Sequence, residues 1–363
     1  MSFKDFFGNQ SVVRDLRAML ARDRFPHAII LSGPEGSGKY TLAQMLAKAM
    51  NCLAPPAGDL PDFCGLCEAC RRIGEADDLA SRYAEAVEVR EGLRETDKKD
   101  TRILVRTHPD VLIVPPDPPQ MMIKVDQVRQ VTAGIYFRPS QGSRKIYIFT
   151  DSCFMKEAAN ALLKVLEEPP EFANFFLLTT NPGELIPTIR SRCVNVRLAA
   201  LPVSEIENVL AQQDAALAAK QRSLIARLSQ GAYGKARGFD LPAYIAIRQD
   251  ALAILKVAKD GDDHSALFKV SEGYRAGAEG KEKTTALARC LNGLLQDLLY
   301  LKAGAPELAR NTDIAPELER LARAVDFEWL ASSSHQLDEL ESGMRRNLLR
   351  SLSLDSFALS LER

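Results

Sequence analysis

Apolar residues in the first half of the chain alternate between short continuous runs and helical spacings. The short runs, which favour buried strands, lie at 27–31, 111–114, 145–150 and 174–180. Apolar positions that return every three or four residues, as in amphipathic helices, lie at 12–21, 41–50, 124–133 and 156–168. Because strands that alternate with helices pair side by side, this half predicts an α/β domain with a parallel sheet.

Strand patterns almost vanish after Leu198, and the remainder is predicted to be helical. The predicted helices lie at 203–212, 216–229, 242–256 and in further amphipathic runs up to Leu361. Turn residues at 231–234 and 238–242 separate them. We therefore predict three domains, an α/β domain over 1–198, a small helical lid over 199–241 and an all-helical domain over 242–363.

Composition narrows the class of protein. The chain has 363 residues, of which 46% are hydrophobic and 26% charged, and these values are typical of folded multidomain proteins. No stretch approaches the roughly 20 apolar residues of a membrane helix, and the start carries no signal-peptide pattern, so we expect a cytoplasmic protein without membrane contact. Its 47 Lys and Arg residues nearly balance 48 Asp and Glu residues, so any contact with DNA should be local or indirect.

A phosphate-binding loop follows the first predicted strand and opens the next helix. Its Gly-x4-Gly-Lys pattern runs from Gly33 to Lys39. Glycines allow backbone amides to face an anion, the helix start adds positive charge, and the lysine can reach the outer phosphates. The candidate nucleotide-binding residues are Gly33, Gly36, Ser37, Gly38, Lys39, Tyr40 and Thr41.

The magnesium-binding positions of this predicted site are altered. Tyr40 follows the lysine, at the position where Ser or Thr usually holds the ion. Thr41 cannot replace it, because one residue further along a helix the side chain points about 100° away from that direction. Thr150 stands where an Asp is expected after the strand at 145–150, and Asp151 replaces the Glu that activates water. We therefore expect weak or absent ATP binding, poorly held Mg²⁺ and no hydrolysis by this chain alone.

Four of the seven cysteines cluster after the helix that follows the phosphate loop. Three of them are spaced by three residues, and Cys52 can supply a fourth thiolate to Cys64, Cys67 and Cys70. Four thiolates leave no open coordination position, so the pattern predicts a structural zinc site in a module over 52–70. An iron–sulfur cluster needs the same four ligands, and reduced cysteines without any metal are the plainer alternative. The charged stretch at 74–102 is predicted to be a solvated helix or hairpin, or a partly disordered insertion.

Several local sequences resemble the bacterial clamp-loader subunits of the AAA+ class over essentially the whole chain. They are the Gly-Asn-Gln at 8–10, His-Ala at 27–28, the cysteines, His-Pro-Asp at 108–110, the Asn-Ala-Leu-Leu-Lys-Val-Leu-Glu-Glu-Pro-Pro at 160–170 and the Ser-Arg-Cys at 191–193. The resemblance implies an AAA+ P-loop domain, a lid, and a C-terminal collar domain that joins the subunits.

The resemblance also implies a role for Arg192. In this family, the arginine of Ser-Arg-Cys reaches the nucleotide of a neighbouring subunit, where its permanent charge neutralises the γ-phosphate. Motor subunits carry Thr after the loop lysine and an arginine in the lid turn, whereas this chain has Tyr40 and Gly234. It therefore resembles a stator that does not hydrolyse ATP. Its expected partners are the motor and delta-type subunits through the collar, the sliding clamp indirectly, and primer-template DNA only within the complex.

Three other interpretations remain open from the sequence. The chain could be an ATP-hydrolysing motor subunit of the same loader, although Tyr40 and Thr150 oppose this. It could be a separate P-loop kinase with a zinc lid, which leaves the Ser-Arg-Cys element unexplained. It could also be a zinc-bearing DNA adaptor, but the balanced charge offers no basic stripe.

Overall fold

The structure, a computed structural model, describes residues 2–214, 216–260, 274 and 277–345. Two compact units are present, the first containing the residues up to Glu205 together with Gly231–Lys235. The second contains Ile206–Gln230 and the described residues from Ala236 onward. The lid turn at 231–235 therefore belongs to the α/β unit by its contacts. The boundaries at 198 and 241 stay a prediction, and residues 346–363 of the predicted C-terminal domain lie outside the described residues.

The first unit is built on a six-stranded sheet with the order β2-β3-β4-β5-β1-β6. Its strands are β1 (Ala28–Ser32), β2 (Val105–His108), β3 (Val111–Val114), β4 (Lys145–Phe149), β5 (Ala173–Thr179) and β6 (Val194–Arg197). Its helices are α1 (Gln10–Ala21), α2 (Lys39–Asn51), α3 (Glu68–Gly74), α4 (Leu79–Glu91), α5 (Glu95–Asp100), α6 (Val125–Ile135), α7 (Lys156–Glu167) and α8 (Pro187–Arg190), and α9 (Val203–Gln213) begins at its boundary. The predicted α/β architecture is confirmed.

The prediction of a parallel sheet is wrong at one edge. Strands β3, β4, β5, β1 and β6 pair in parallel, but β2 pairs antiparallel with β3. Only Pro109 and Asp110 separate these two strands, and a parallel neighbour would need a crossover of roughly a dozen residues. Strands β2 and β6 were not predicted, because each has four residues and several of their side chains are exposed.

Hydrophobic side chains cover both faces of the sheet, which explains the continuous apolar runs. On one face Ile29 and Leu31 pack with α1 and α2, including Leu16, Leu42 and Leu46. On the other face the alternating residues of β1 and β5 pack with α6 and α7, and the buried residues there include Ile30, Phe175, Val128 and Leu162. The phosphate loop therefore follows directly after β1, a strand that is buried on both faces. This burial fixes the position at which the loop begins.

The described part of the second unit is entirely helical. It contains most of α9 and the whole of α10 (Ala219–Leu228), α12 (Leu241–Asp260), α13 (Gly277–Lys302), α14 (Ala315–Ala324) and α15 (Phe327–Arg345), while the short α11 (Tyr233–Arg237) crosses the boundary between the units. Leucines of α12, α13 and α14, such as Leu255, Leu291 and Leu318, form its core. The all-helical prediction is thus confirmed for the described residues. None of the described helices is both long and apolar enough to cross a membrane.

Candidate functional site

The phosphate loop lies between β1 and α2, as the sequence predicts. Gly36 and Gly38 have φ angles of +80° and +87°, a region that side chains with a Cβ rarely adopt. A Cβ on Gly38 would also lie 2.9 Å from the ring of Phe6. The glycines are therefore required by the backbone path of the loop, and Gly33 begins it directly after β1.

The cationic side chain of the loop is engaged by the loop itself. Lys39 Nζ donates hydrogen bonds of 2.7 Å to the carbonyl oxygens of Gly33 and Pro34. Burial lowers the pKa of Lys39, although Glu35 opposes the shift. The Oγ atom of Ser37 is buried and has no hydrogen-bond partner. A phosphate would have to compete with two carbonyls for the Lys39 ammonium.

The lid turn at 231–235 packs directly against this loop. The amide of Gly234 donates a hydrogen bond of 2.8 Å to the carbonyl oxygen of Gly36. A Cβ on Gly234 would lie 2.8 Å from the same oxygen, so the contact admits only glycine. Lys235 Nζ lies 3.0 Å from Glu35 Oε2 at the surface. The turn therefore covers the middle of the loop, and any side chain at position 234 would collide with the backbone of Gly36.

Tyr40, which occupies the usual magnesium-binding position, takes part in a different contact. Its hydroxyl donates a hydrogen bond of 2.5 Å to the carbonyl oxygen of Ala76, and Gln44 Nε2 donates to that hydroxyl over 2.7 Å. Burial raises the pKa of Tyr40, so the hydroxyl stays protonated. Thr41 is exposed. Tyr40 thus links α2 to the turn that follows α3.

The end of β4 carries few groups that could hold a metal ion. Thr150 offers no carboxylate, and Asp151 Oδ1 accepts a hydrogen bond of 2.9 Å from the Cys153 amide. Next to them, Ser152 Oγ donates to Glu184 Oε2 over 2.6 Å and accepts from Thr179 Oγ1 over 2.9 Å. These contacts connect the ends of β4 and β5 through side-chain hydroxyls.

Arg192 lies directly after α8, in the segment that leads to β6. Its Nη2 atom donates to Glu167 Oε1 over 2.6 Å, and its Nη1 atom donates to the Thr188 carbonyl over 2.9 Å. The neighbouring Cys193 packs against the core, and burial raises its pKa to about 12. Arg192 is one-third exposed, so its guanidinium remains accessible from solvent.

The four predicted cysteines come together at one point. Their sulfur atoms all lie within 4.8 Å of one another, and Cys52 Sγ is 3.6 Å from Cys64 Sγ and 3.9 Å from Cys67 Sγ. A tetrahedral zinc ion with Zn–S bonds of about 2.3 Å holds its sulfurs roughly 3.8 Å apart. The cluster, with Cys70 as its fourth member, fits one such ion. It leaves little room for a cluster of several irons, whose thiolates bind separate metal atoms.

Backbone amides prepare two of these thiols for ionisation. Burial opposes ionisation of Cys67, but the amides of Cys70 and Leu53 outweigh it and hold the pKa of Cys67 at about 6. The amides of Cys67 and Leu66 also lower the pKa of Cys64, whereas burial raises the pKa of Cys52 and Cys70. A cation bound by all four sulfurs would reverse the effect of burial.

The charged insertion at 74–102 contains the helices α4 and α5, in agreement with the predicted solvated helix. Its attachment to the segment that follows β3 was not foreseen. Asp117 is fully buried, and its carboxylate lies 3.0 Å from Arg90 Nη1 and 2.8 Å from Lys124 Nζ. Its Oδ1 atom also accepts a hydrogen bond of 2.9 Å from the Ile103 amide. A single aspartate in a Pro-rich segment gives no periodic signal in the sequence.

The fold and the site together define a P-loop α/β protein, with a candidate zinc module and an arginine element between α8 and β6. The family model described as "DNA polymerase III, delta subunit" matches residues 8–202, which is more than half of the chain. The chain belongs to this family of clamp-loader subunits.

Relatives from other bacteria carry the names of further subunits of the same polymerase. DNA polymerase III subunit tau of Escherichia coli K12 is 30% identical over 63% of this chain and 31% of its own length. The tau subunit of Salmonella typhimurium is 29% identical over 91% of this chain and 42% of its own length. A gamma subunit-related protein of Thermotoga maritima has a structure that covers 96% of this chain and 98% of its own, at 17% identity and a TM-score of 0.49. The chain spans less than half the length of these two tau subunits.

Proposed function

We propose that this chain is a delta-prime-like subunit of the DNA polymerase III clamp loader. In this role it acts as a stator that supplies Arg192 in trans to the ATP of a motor subunit. It thereby helps to place the sliding clamp on primed DNA during replication, in the bacterial cytoplasm. The contact between Gly234 and Gly36 carries the proposal, because it covers the phosphate loop with a turn that has no arginine.

Three further features support a stator rather than a motor. Lys39 is held by two loop carbonyls, Tyr40 bonds to Ala76 instead of facing a metal ion, and Thr150 lacks a carboxylate. Hydrolysis of ATP needs a bound magnesium ion and a positioned water molecule. In this site the residues that would hold the ion and activate the water are replaced. By the same reasoning, ATP binding by this chain is weak or absent and Mg²⁺ is poorly held.

The remaining parts have structural roles in this proposal. Cys52, Cys64, Cys67 and Cys70 bind one structural zinc ion that folds the module after α2. The helices of the second unit join motor and delta-type subunits in a collar. The chain touches the sliding clamp indirectly, and primer-template DNA only within the complex.

A motor role is the second candidate, since the tau subunits described above are about 30% identical to this chain. In that case, the phosphate loop would open, and the turn at Gly234 would leave Gly36 on nucleotide binding. The two candidates differ in one property, namely whether the isolated chain hydrolyses ATP.

The test measures ATP turnover by the purified chain alone, and then in a mixture with a motor subunit and the clamp. We expect no turnover by the chain alone and an increase in the mixture that depends on Arg192. An arginine finger contributes roughly 10³-fold or more at its own site. Arg192→Ala should therefore abolish ATP turnover at the one nucleotide site that this arginine completes. Nucleotide sites completed by the arginines of other subunits should remain active. Arg190→Ala is the matched control, because Arg190 is exposed two positions earlier.

Two outcomes would overturn the stator proposal. Turnover by the isolated chain would establish the motor role instead. Loss of complex assembly with Arg192→Ala, while Arg190→Ala assembles, would make Arg192 a structural residue. Size-exclusion chromatography of each mixture separates assembly from turnover.

A further inference from the structure

The last residue of α7 is placed where a helix disfavours it. Glu167 ends the helix, and Glu168 follows as its C-cap residue. The carbonyl end of a helix carries partial negative charge, so carboxylates there are electrostatically unfavourable. Among the described residues, an ion pair offsets this unfavourable charge for only one of the two side chains. Glu167 Oε1 accepts a hydrogen bond of 2.6 Å from Arg192 Nη2.

Arg192 is likewise distinguished from its neighbours. Arg190 and Arg197 are exposed, and neither pairs with a carboxylate in the described part of the chain. Arg192 makes three hydrogen bonds, to the Glu167 carboxylate, to the Thr188 carbonyl at 2.9 Å and, more weakly, to Ser191 Oγ at 3.5 Å. These contacts use two N–H groups of Nη1 and one of Nη2. A guanidinium has five N–H groups, so two remain available to another acceptor.

The support behind Glu167 is rigid. Leu162, Val165 and Leu166 of α7 are buried in the sheet core, which fixes the end of the helix. The segment that carries Arg192 is anchored by buried Ile189 and by Cys193. Both elements that carry this ion pair are therefore anchored in the core. The Glu167 carboxylate can hold the Arg192 guanidinium at a defined position.

We propose that Glu167 is the positioning residue for Arg192, holding one edge of the guanidinium so that its free N–H groups face an anionic phosphate of a partner chain. This inference rests on the proposed arginine-finger role. A free arginine side chain samples many rotamers and loses that freedom when it binds. Glu167 restricts the rotamers before the partner arrives, and so raises turnover without contacting the nucleotide itself.

The test uses the assembled complex of this chain with motor subunits and the clamp, supplied with ATP. The Arg192-dependent part of turnover is the rate with the wild-type chain minus the rate with Arg192→Ala. We expect Glu167→Ala to lower that part about three- to tenfold, the effect of releasing one long side chain. Glu167→Gln keeps the shape and an acceptor oxygen and should lower it less. Glu168→Ala is the matched control, since its exposed carboxylate lacks the arginine contact.

A double-mutant cycle separates positioning from general stability. In the Arg192→Ala background, Glu167→Ala should have no further effect on turnover, because the group that it positions is absent. The Michaelis constant for ATP should stay constant while kcat falls, since Glu167 does not bind the nucleotide. Thermal unfolding of each variant shows whether the fold is intact.

The outcomes distinguish this inference from the proposed function. If Arg192→Ala leaves turnover unchanged, the finger role itself fails. If Arg192→Ala lowers turnover but Glu167→Ala and Glu167→Gln leave it unchanged or raise it, only the positioning role fails. An additive effect of Glu167→Ala in the Arg192→Ala background would also overturn the positioning role.

Discussion

The amide nitrogen of Gly234 donates a 2.8 Å hydrogen bond to the carbonyl oxygen of Gly36, at the middle of the phosphate loop. This contact closes the loop with the protein's own backbone. It also explains why the lid turn carries glycine, because any Cβ would stand 2.8 Å from the same oxygen.

Gly234→Ala should therefore destabilise the protein. The added methyl group must push the turn away from the loop, and such overpacking costs about 1–3 kcal/mol. Urea unfolding measures the change. Gly238→Ala is the control, because a Cβ there meets nothing within 4 Å and should be nearly neutral. Equal stability of the two variants would contradict the tight contact at Gly36.

The sequence predicted the parts of this site that are local and missed those that are distant along the chain. The phosphate loop, the cysteine spacing and the Ser-Arg-Cys element are short patterns in which the chemistry requires particular residues. The contacts of Gly36 with Gly234, Tyr40 with Ala76 and Arg192 with Glu167 join separate elements. Each depends on how those elements pack, which no local pattern encodes.

The errors in the fold have the same origin. Strand β2 has only four residues and includes the polar Arg106, Thr107 and His108, so its apolar signal is weak. Its direction follows from the two-residue connection at Pro109–Asp110. Asp110 accepts hydrogen bonds from the amides of Ser140, Gln141 and Gly142, and so fixes the approach to β4. These contacts become visible only in the folded chain.

Tyr40→Phe tests the link between α2 and the turn after α3. The variant removes the hydrogen bond to Ala76 and the acceptor used by Gln44, which should cost about 1–2 kcal/mol. Tyr136→Phe is the control, because Tyr136 is 63% exposed. No difference between the two variants in urea unfolding would show that the hydroxyl of Tyr40 is not stabilising.

The same tyrosine should contribute to alkaline sensitivity. Burial raises the pKa of Tyr40 above the value of about 10 that it has in the unfolded chain. The folded state then binds more protons above pH ~10, so stability is retained below that pH and is lost as the pH rises further. The decline should be shallower for Tyr40→Phe than for the wild type. Equal slopes in unfolding experiments between pH ~9 and ~11 would contradict this.

Zinc should be bound in a ratio of one ion per chain. Four sulfurs within 4.8 Å of one another fit a single tetrahedral ion, and a closed site of this kind stabilises its module. A strong chelator should therefore lower the unfolding temperature, and added zinc should restore it. Cys64→Ser should reduce the metal content measured by atomic absorption, whereas Cys153→Ser, outside the cluster, should not. Iron in place of zinc would establish the alternative metal.

An ion pair with a buried arginine should stabilise the second unit. Arg248 is 4% exposed, and its two terminal nitrogens lie 2.7 and 2.5 Å from the carboxylate of Asp313. Asp313→Ala leaves a buried guanidinium without its partner, and we expect a loss of about 2 kcal/mol because Asp313 is partly exposed. Glu317→Ala breaks the more exposed pair with Lys256 and should cost about 0–1 kcal/mol. Equal losses in urea unfolding would show that burial of Arg248 does not matter.

The charged insertion should depend on Asp117. This fully buried carboxylate binds Arg90 of α4 and Lys124, whose side chains are 11% and 13% exposed. Asp117→Asn keeps the size but removes the charge, so both cations lose their partner, at a cost of roughly 3 kcal/mol.

The helix α4 should detach from the domain first in this variant, since α4 has no buried residue of its own. Trypsin should then cleave faster at Arg94, between α4 and α5. Glu85→Gln, which breaks an exposed pair with Arg82 on the same helix, should leave the cleavage rate unchanged. An unchanged cleavage rate in Asp117→Asn would mean that other contacts hold the insertion. Asp117 would then stabilise only the segment at 103–124, through Ile103 and Lys124.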